Sequence, residues 1–193
     1  MNRIVVFCGS SLGFNPVYKE AAIELGNYFV NNNIGLVYGG GKIGMMGALS
    51  DTILDKNGEV IGVIPKLLEK EEVLHLGVEE MIICKNMSER KVIMSKLVDG
   101  YITLPGGFGT LDELFEALTL SQLYIEQKPV GLLNINGFFD GVLIQVDKMV
   151  DEGYVNPENK KLLIVEDSVE KLLEKMNSYK APKITHVINK VVI

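Results

Sequence analysis

A doubly wound α/β fold, with a parallel sheet carrying helices on both faces, is the class this sequence predicts, and three observations predict it. Short runs rich in Val and Ile recur along the chain. Longer segments with helical spacing separate them, and glycine-rich turns join strand to helix at Cys8-Gly9-Ser10-Ser11, Gly39 to Gly47 and Gly106 to Gly109. Alternation of this kind places strands in a parallel sheet buried under helices, and glycines at the carboxyl ends of strands are where such sheets hold ligands, so the fold reads as Rossmann-like.

The predicted strands are Ile4 to Cys8, Ile34 to Tyr38, Val60 to Ile64, Met81 to Cys84, Tyr101 to Leu104, Val130 to Leu133 and Leu162 to Val165, all read as buried. At 193 residues the chain makes one domain with a full core, spanning 1–193. Its apolar share of 47% and charged share of 23% are those of an ordinary globular protein, and no apolar run is long enough for a bilayer span. The start, Met1-Asn2-Arg3 and then a strand, lacks the cleavage region of a signal peptide, so the expected protein is soluble and cytoplasmic, with no membrane partner. Cys8 and Cys84 end apolar runs without metal-ligand spacing and read as buried, reduced thiols. A net charge of −6 argues against a nucleic-acid partner, while one small phosphate stays possible. With only His75 and His186 available, neither a structural zinc nor a His-based dyad is expected.

After the first strand, Asn15 and Pro16 open a helix to Val30, with Asn15 as cap. Ser10 and Ser11 then lie at the carboxyl edge of the sheet, where hydroxyls are candidates for nucleotide contacts. The second strand leads into Gly39-Gly40-Gly41-Lys42-Ile43-Gly44-Met45-Met46-Gly47. This contains Gly-x-Gly-x-x-Gly, but it follows the second strand and lacks the acidic residue about twenty positions on that a dinucleotide site wants; Ile43 after Lys42 excludes a P-loop. Two readings stay open: backbone approaching a ligand near Gly40, or a helix packed tightly on the sheet.

The stretch Glu69 to His75 reads as a solvated face. A helix near Asn86-Met87-Ser88-Glu89 follows, Asn86 and Glu89 in capping-box relation, with Arg90 and Lys91 in its first turn. Cations there oppose the helix dipole by about 0.3–1 kcal/mol each; a local rule broken in this way hints at function, and a salt bridge to Glu71 or Glu72 would answer it equally. After the strand that ends in Leu104, Pro105-Gly106-Gly107-Phe108-Gly109 turns the chain into another helix, predicted to start at Thr110 with Glu113 as its capping-box acid and to run to about Glu126. Free N–H groups at such a turn, with the positive end of the helix dipole, suit a phosphate, although a capping box alone accounts for Thr110 and Glu113 without chemistry. Leu111 to Ile125 is apolar nearly all round the helix, which predicts a second subunit on its outer side and hence a homodimer. Asn136-Gly137 leads into a helix from about Phe138 to Glu152, Asp167 or Ser168 caps a last one to about Asn177, and the tail after Tyr179 is unassigned.

Pro105-Gly106-Gly107-Phe108-Gly109-Thr110-Leu111-Asp112-Glu113, Met87-Ser88-Glu89-Arg90-Lys91 and the Gly39 to Gly47 loop together resemble the Lonely Guy (LOG) family, the cytokinin riboside 5′-monophosphate phosphoribohydrolases, Rossmann-like homodimers. The likeness runs from Cys8 to about Gly137. It implies hydrolysis of the N-glycosidic bond of a purine nucleoside 5′-monophosphate, AMP or an N6-substituted AMP, to free base and ribose 5-phosphate. It makes Arg90 and Glu113 the catalytic pair and matches Glu72, Lys91, Gly106, Gly107, Phe108, Gly109, Thr110, Leu111, Asp112 and Thr119 to nucleotide-binding positions, beside which Ser10 and Gly40 stand as candidates from their turns. No cofactor and no metal are implied. Ser88 stands where the family usually has His, a departure that touches base preference more than reaction type.

The chemistry of the residues agrees with that implication. Breaking a glycosidic bond builds positive charge on the sugar, which a carboxylate such as Glu113 stabilises, while a guanidinium such as Arg90 steadies the phosphate or the departing base. Family members have also been labelled lysine decarboxylases, yet no recognisable lysine motif for a pyridoxal phosphate Schiff base is present. The rival class is a binding protein similar to molybdenum-cofactor carriers, which hold a phosphorylated ligand on a related fold without cleaving it.

Overall fold

The computed structural model describes residues 1–69 and 74–182. Seven parallel strands form one sheet in the order β4-β3-β2-β1-β5-β6-β7. They are β1 Arg3–Phe7, β2 Gly35–Tyr38, β3 Val60–Pro65, β4 Glu80–Cys84, β5 Gly100–Thr103, β6 Val130–Leu133 and β7 Leu163–Glu166. All seven predicted strands form, with ends shifted by a residue or so. The two edge strands depart from the expectation of burial: in β4 Glu80 and Ile83 are exposed while Met81 and Ile82 are half-buried, and β7 is half-buried throughout.

The helices are α1 Pro16–Asn31, α2 Gly44–Leu54, α3 Met87–Lys96, α4 Phe108–Gln122, α5 Asp140–Asp151, the single-turn α6 Pro157–Lys160 and α7 Val169–Ser178. Alternate strand residues divide the core, as strand geometry demands. Ile4, Val6, Leu36, Tyr38 and Ile102 pack on Leu25 and Phe29 of α1, Leu49 and Ile53 of α2, and Leu172 and Met176 of α7. Val5, Phe7, Val37 and Tyr101 face the other way, onto Met94 of α3, Leu114 and Ala117 of α4, and Phe139. The sheet is therefore wound on both faces as predicted.

Side-chain caps fix the starts of α1, α3 and α6; in the last of these Asn156 Oδ1 accepts from Glu158 N–H at 2.9 Å. Asn15 Oδ1 accepts from Val17 N–H at 3.1 Å and Pro16 takes the first helical position of α1. Asn86 Oδ1 accepts from Glu89 N–H at 2.9 Å, while the Glu89 carboxylate reaches one residue further than a standard capping box, to Lys85 N–H at 2.6 Å. Ser168 occupies the cap position of α7 without a side-chain capping bond. Asn136-Gly137 forms a separate 3₁₀ turn, Ile135–Gly137, and α5 begins after it.

Two expectations fail in instructive ways. His75 is not on a solvated face: it is buried, its Nδ1 accepts from Gly77 N–H at 3.1 Å, and Nε2 therefore carries the proton toward Asp51 Oδ1 at 2.9 Å. Its backbone N–H donates to Gly40 O at 3.1 Å, so the residue pins the β3–β4 connection to the glycine turn after β2. The second failure is the start of α4. Gly107 caps that helix in an extended conformation, the helix begins two residues before Thr110, and no side chain caps it. Thr110 is thereby the third helical residue, and Glu113, the sixth, is buried and lines the cleft described below. The helix also stops at Gln122, leaving Leu123, Tyr124 and Ile125 exposed in the following turn.

Candidate active site

The chain leaves β1 toward α1 on one face and β5 toward α4 on the other, so the adjacent carboxyl ends of β1 and β5 form the switch point where open α/β sheets bind ligands. Three turns meet there. Gly9 N–H donates to Pro105 O and Met45 N–H donates to Gly9 O, each at 3.1 Å, tying the turns after β1, β2 and β5 into one floor. A side chain on Gly9 would press on Gly106 Cα at 3.2 Å, so these two backbones touch.

Above this floor opens a cleft of about 300 Å³. Arg90 and Met87 of α3 line it on one side; Phe108, Gly109, Thr110 and Glu113 of α4 line the other; Cys8, Gly9 and Ser10 close the base, with Met46 of α2 and Leu68 at the rim. Arg90, Thr110 and Glu113 are all buried although polar or charged. Burying an ionised group is costly unless a partner compensates, which makes a cleft lined by one guanidinium and one carboxylate a place built for a polar ligand.

Arg90 is held tightly. Its Nη1 lies 3.7 Å from Met87 Sδ, and a methyl group on Gly39 would collide with Nη2, so Gly39 is the seat of the guanidinium. Its Nε, fully buried, has no hydrogen-bond partner among the described residues. Opposite, the N–H groups of Phe108, Gly109 and Thr110 are the first three of α4 and have no intrahelical acceptor; among the described residues no side chain caps them, and all three residues line the cleft. Cys8 also faces this site, and burial together with the nearby Glu113 carboxylate pushes its thiol well above the usual range, so it stays neutral and non-nucleophilic.

The remaining sequence candidates fall in several places. Ser10, Gly107, Phe108, Gly109 and Thr110 join Arg90 and Glu113 at the cleft, and Gly106 lines an adjoining cleft of about 310 Å³ with Ser10, Tyr18, Met45 and Phe138. Leu111 is half-buried in the core behind α4. Lys91 does not line the cleft and pairs with Asp112 Oδ2 at 3.1 Å and with Glu116, two acids of α4 in place of the Glu71 or Glu72 that the sequence suggested. Gly40 adopts φ +79° and accepts from His75 rather than lining the cleft. Thr119 donates to Phe115 O and lines a separate cavity of about 160 Å³ beside Gln122 and Asn159. Glu72 lies outside the described residues, as does Glu71. Met46, Met87 and Leu68 are cleft walls that the sequence did not single out; apolar residues at the starts of helices or in a turn carry no signal until the elements are seen to converge.

The chain is 46% identical over 177 residues to "Cytokinin riboside 5'-monophosphate phosphoribohydrolase LOG1" of Arabidopsis thaliana, covering 92% of this chain and 83% of that protein. It belongs to the Lonely Guy family. A second LOG relative from the same plant, LOG7, is 42% identical over 190 residues, 98% of this chain and 87% of its own. The family described as "Possible lysine decarboxylase" matches residues 46–176, a span that includes both α3 and α4. Among solved structures, the molybdenum cofactor binding protein from the phototrophic bacterium Rippkaea orientalis superposes with a TM-score of 0.69 at 22% identity, covering 92% of this chain and 97% of that one. A likeness at that identity speaks for the shared fold of LOG and carrier proteins alone.

Proposed function

We propose that this LOG-family chain is a hydrolase that cleaves the N-glycosidic bond of purine nucleoside 5′-monophosphates, AMP or N6-substituted AMP, to free base and ribose 5-phosphate. The observation that carries the reading is the pairing of a buried Arg90 with a buried Glu113 across one cleft, at the uncapped N-terminus of α4. The LOG relatives, named for this activity on cytokinin riboside monophosphates, support it.

In this mechanism the 5′-phosphate accepts from the N–H groups of Phe108, Gly109 and Thr110, where the helix dipole adds to their attraction. The ribose then lies over Glu113. As the C1′–N bond breaks, its electron pair leaves with the purine and positive charge gathers on the sugar, where the Glu113 carboxylate stabilises it and orients the water that adds to C1′. As the water oxygen bonds to C1′ it gives up one proton to Glu113, and the departing base takes up one proton from solvent, so the net addition is one water. Arg90, which lines the same cleft, neutralises negative charge on the phosphate side or on the leaving base. The walls contributed by Met46, Met87 and Leu68 limit water around the developing charge.

The same reading makes the protein a cytoplasmic homodimer that uses no cofactor, no metal and no nucleic acid. Thr119, a nucleotide-binding position by resemblance, lines a cavity apart from the cleft of its own chain, so a second copy packed against α4 supplies a way to bring it to a site. Leu123, Tyr124 and Ile125 lie exposed at the end of the same helix and support that packing. Among the described residues no helix is long and apolar enough to cross a membrane.

Incubation with AMP, followed by chromatography for adenine, tests the reading. Release of base that drops by about 10²–10³ in Glu113→Gln, the range for losing one charge-stabilising group, supports it. Tight binding of AMP without release supports the carrier class instead. A monomer mass by light scattering would contradict the dimer.

A further inference from the structure

His75 stands apart from the cleft, yet it is only 4% exposed and each of its polar groups is bonded. The ring accepts from Gly77 N–H on Nδ1 at 3.1 Å and donates from Nε2 to Asp51 Oδ1 of α2 at 2.9 Å. Its backbone N–H donates to Gly40 O and its carbonyl accepts from Val78 N–H, both at 3.1 Å, while the preceding Leu74 pairs with Gly41 in a short antiparallel bridge. A side chain on Gly77 would press on the ring, with Cε1 and Nδ1 only 3.1 and 3.3 Å away, so the imidazole is packed as well as bonded. Burying an imidazole costs free energy unless both nitrogens are satisfied, and here their partners fix the place and the tautomer of the ring.

We propose that His75 is a positioning residue for Arg90: its ring, held on Asp51, sets its own backbone N–H against Gly40 O and so fixes the glycine turn on which the Arg90 guanidinium rests. The catalytic part of this inference rests on the reading of the cleft as a glycosidic-bond hydrolase. Three observations carry it. The path is direct: Gly40 follows Gly39, where an added methyl would overlap Arg90 Nη2, so a turn displaced toward the guanidinium pushes it and a turn displaced away leaves it unsupported. Arg90 depends on that seat. Its Nε is buried without a partner among the described residues and its Nη1 reaches only Met87 Sδ at 3.7 Å, so packing on Gly39 does what hydrogen bonds do elsewhere. Finally, the anchor belongs to the cleft: Asp51 lies on α2 beyond Met46, a cleft wall whose carbonyl accepts from Ser50 Oγ at 2.9 Å, so the ring ties the glycine turn to a helix that itself bounds the ligand space.

The test uses the full chain carrying His75→Gln, His75→Asn, Asp51→Asn and Asp51→Ala, with Leu173→Ala in the α7 core as a control for lost stability. AMP is the substrate, and the Arg90 Nε–H signal in proton–nitrogen correlation spectra is a second readout. A positioning role predicts that Asp51→Ala and His75→Asn, which both cut the tie to α2, lower kcat about 10-fold or more with KM within about 3-fold, because misplacement of a reacting group costs rate rather than uniform binding. Combining the two costs little beyond either, the non-additivity of residues acting as one unit. His75→Gln places an amide N–H where Nε2–H stood and Asp51→Asn keeps an acceptor, so both hold kcat within about 3-fold. The buried Arg90 Nε–H exchanges with solvent about 10-fold faster or more in the two cutting variants and unchanged in Leu173→Ala. The inference is overturned if Asp51→Ala keeps kcat within about 3-fold, if its loss falls on KM, if His75→Gln is no faster than His75→Asn, or if Arg90 Nε–H is as well protected in Asp51→Ala as in wild type. Asp51 is exposed, so its variants decide the matter where a His75 variant fails to fold. A wild-type protein that releases no adenine removes the hydrolase reading, while the Arg90 signal still decides whether His75 holds the guanidinium in place.

Discussion

After β2 the chain runs through Gly39, Gly40, Gly41, Gly44 and Gly47, and after β5 through Gly106, Gly107 and Gly109, and a methyl group placed on each glycine separates the two turns. In the first, a methyl on Gly39 strikes the Arg90 guanidinium, one on Gly44 strikes the backbone of Ser10 and Ser11, and one on Gly47 strikes Lys42 O. In the second, Gly107 and Gly109 have nothing within 4 Å, and only Gly106, against Thr110 and Gly9, is packed. Similar composition thus serves two ends. The first turn is glycine-rich because protein fills the space; the second keeps the space open beside the N–H groups of Phe108, Gly109 and Thr110, which have no partner among the described residues.

Substitutions can break or sharpen that contrast. The largest effect is expected for Gly44→Ala, where φ of +66° and a collision with backbone, which cannot swing aside, act together; a loss of about 3 kcal/mol or more in urea unfolding is expected. Gly39→Ala comes next and differs in kind. The obstruction is the far end of a side chain, so stability should fall by about 1–2 kcal/mol while base release drops roughly 100-fold through displacement of Arg90. Gly109→Ala reverses the pattern: unfolding stability is unchanged or higher by about 0.5–1 kcal/mol, as expected for a methyl at an unobstructed helical glycine. Its KM for AMP should nevertheless rise several-fold. Equal effects of Gly39→Ala and Gly109→Ala on stability would erase the distinction.

The smallest effect lies off both turns. Glu126 accepts from Ser95 and Tyr101 and pairs with Lys128 at 3.4 Å. Burial raises its carboxyl, but these bonds and the Lys128 charge more than offset it, so its pKa in the folded protein is lowered. A lowered folded value means the stabilisation is present above the unfolded carboxylate range near 4.5 and is lost as pH falls through the folded value. Urea midpoints between neutral and acid pH should therefore fall slightly more steeply in the native protein than in Glu126→Gln, with activity at neutral pH retained.

What could be read from sequence divides along the range of the interactions concerned. The seven strands announce themselves by apolar runs that burial makes obligatory, and Asn15 and Asn86 announce helix starts because their capping bonds span two or three residues. The start of α4 was misread for a local reason: Gly107 and Thr110 both suit a helix end, and glycine at the earlier position wins, which turns Glu113 from a cap into a cleft residue. The cleft pair came from the family resemblance, and the oddity of two cations at the start of α3 pointed the same way. The answer to that oddity, Lys91 bonded to Asp112 across 21 positions, depends on how α3 and α4 come together and has no local signature. The burial of His75 against Asp51, 24 positions away, is of the same kind.

The most direct test of the account is a crystal structure of Glu113→Gln with AMP bound and uncleaved. The phosphoryl oxygens should lie about 3 Å from the N–H groups of Phe108, Gly109 and Thr110, with C1′ of the ribose against the side chain at position 113. A phosphate seated on the Gly39 to Gly47 turn, or a ribose out of reach of position 113, would contradict it.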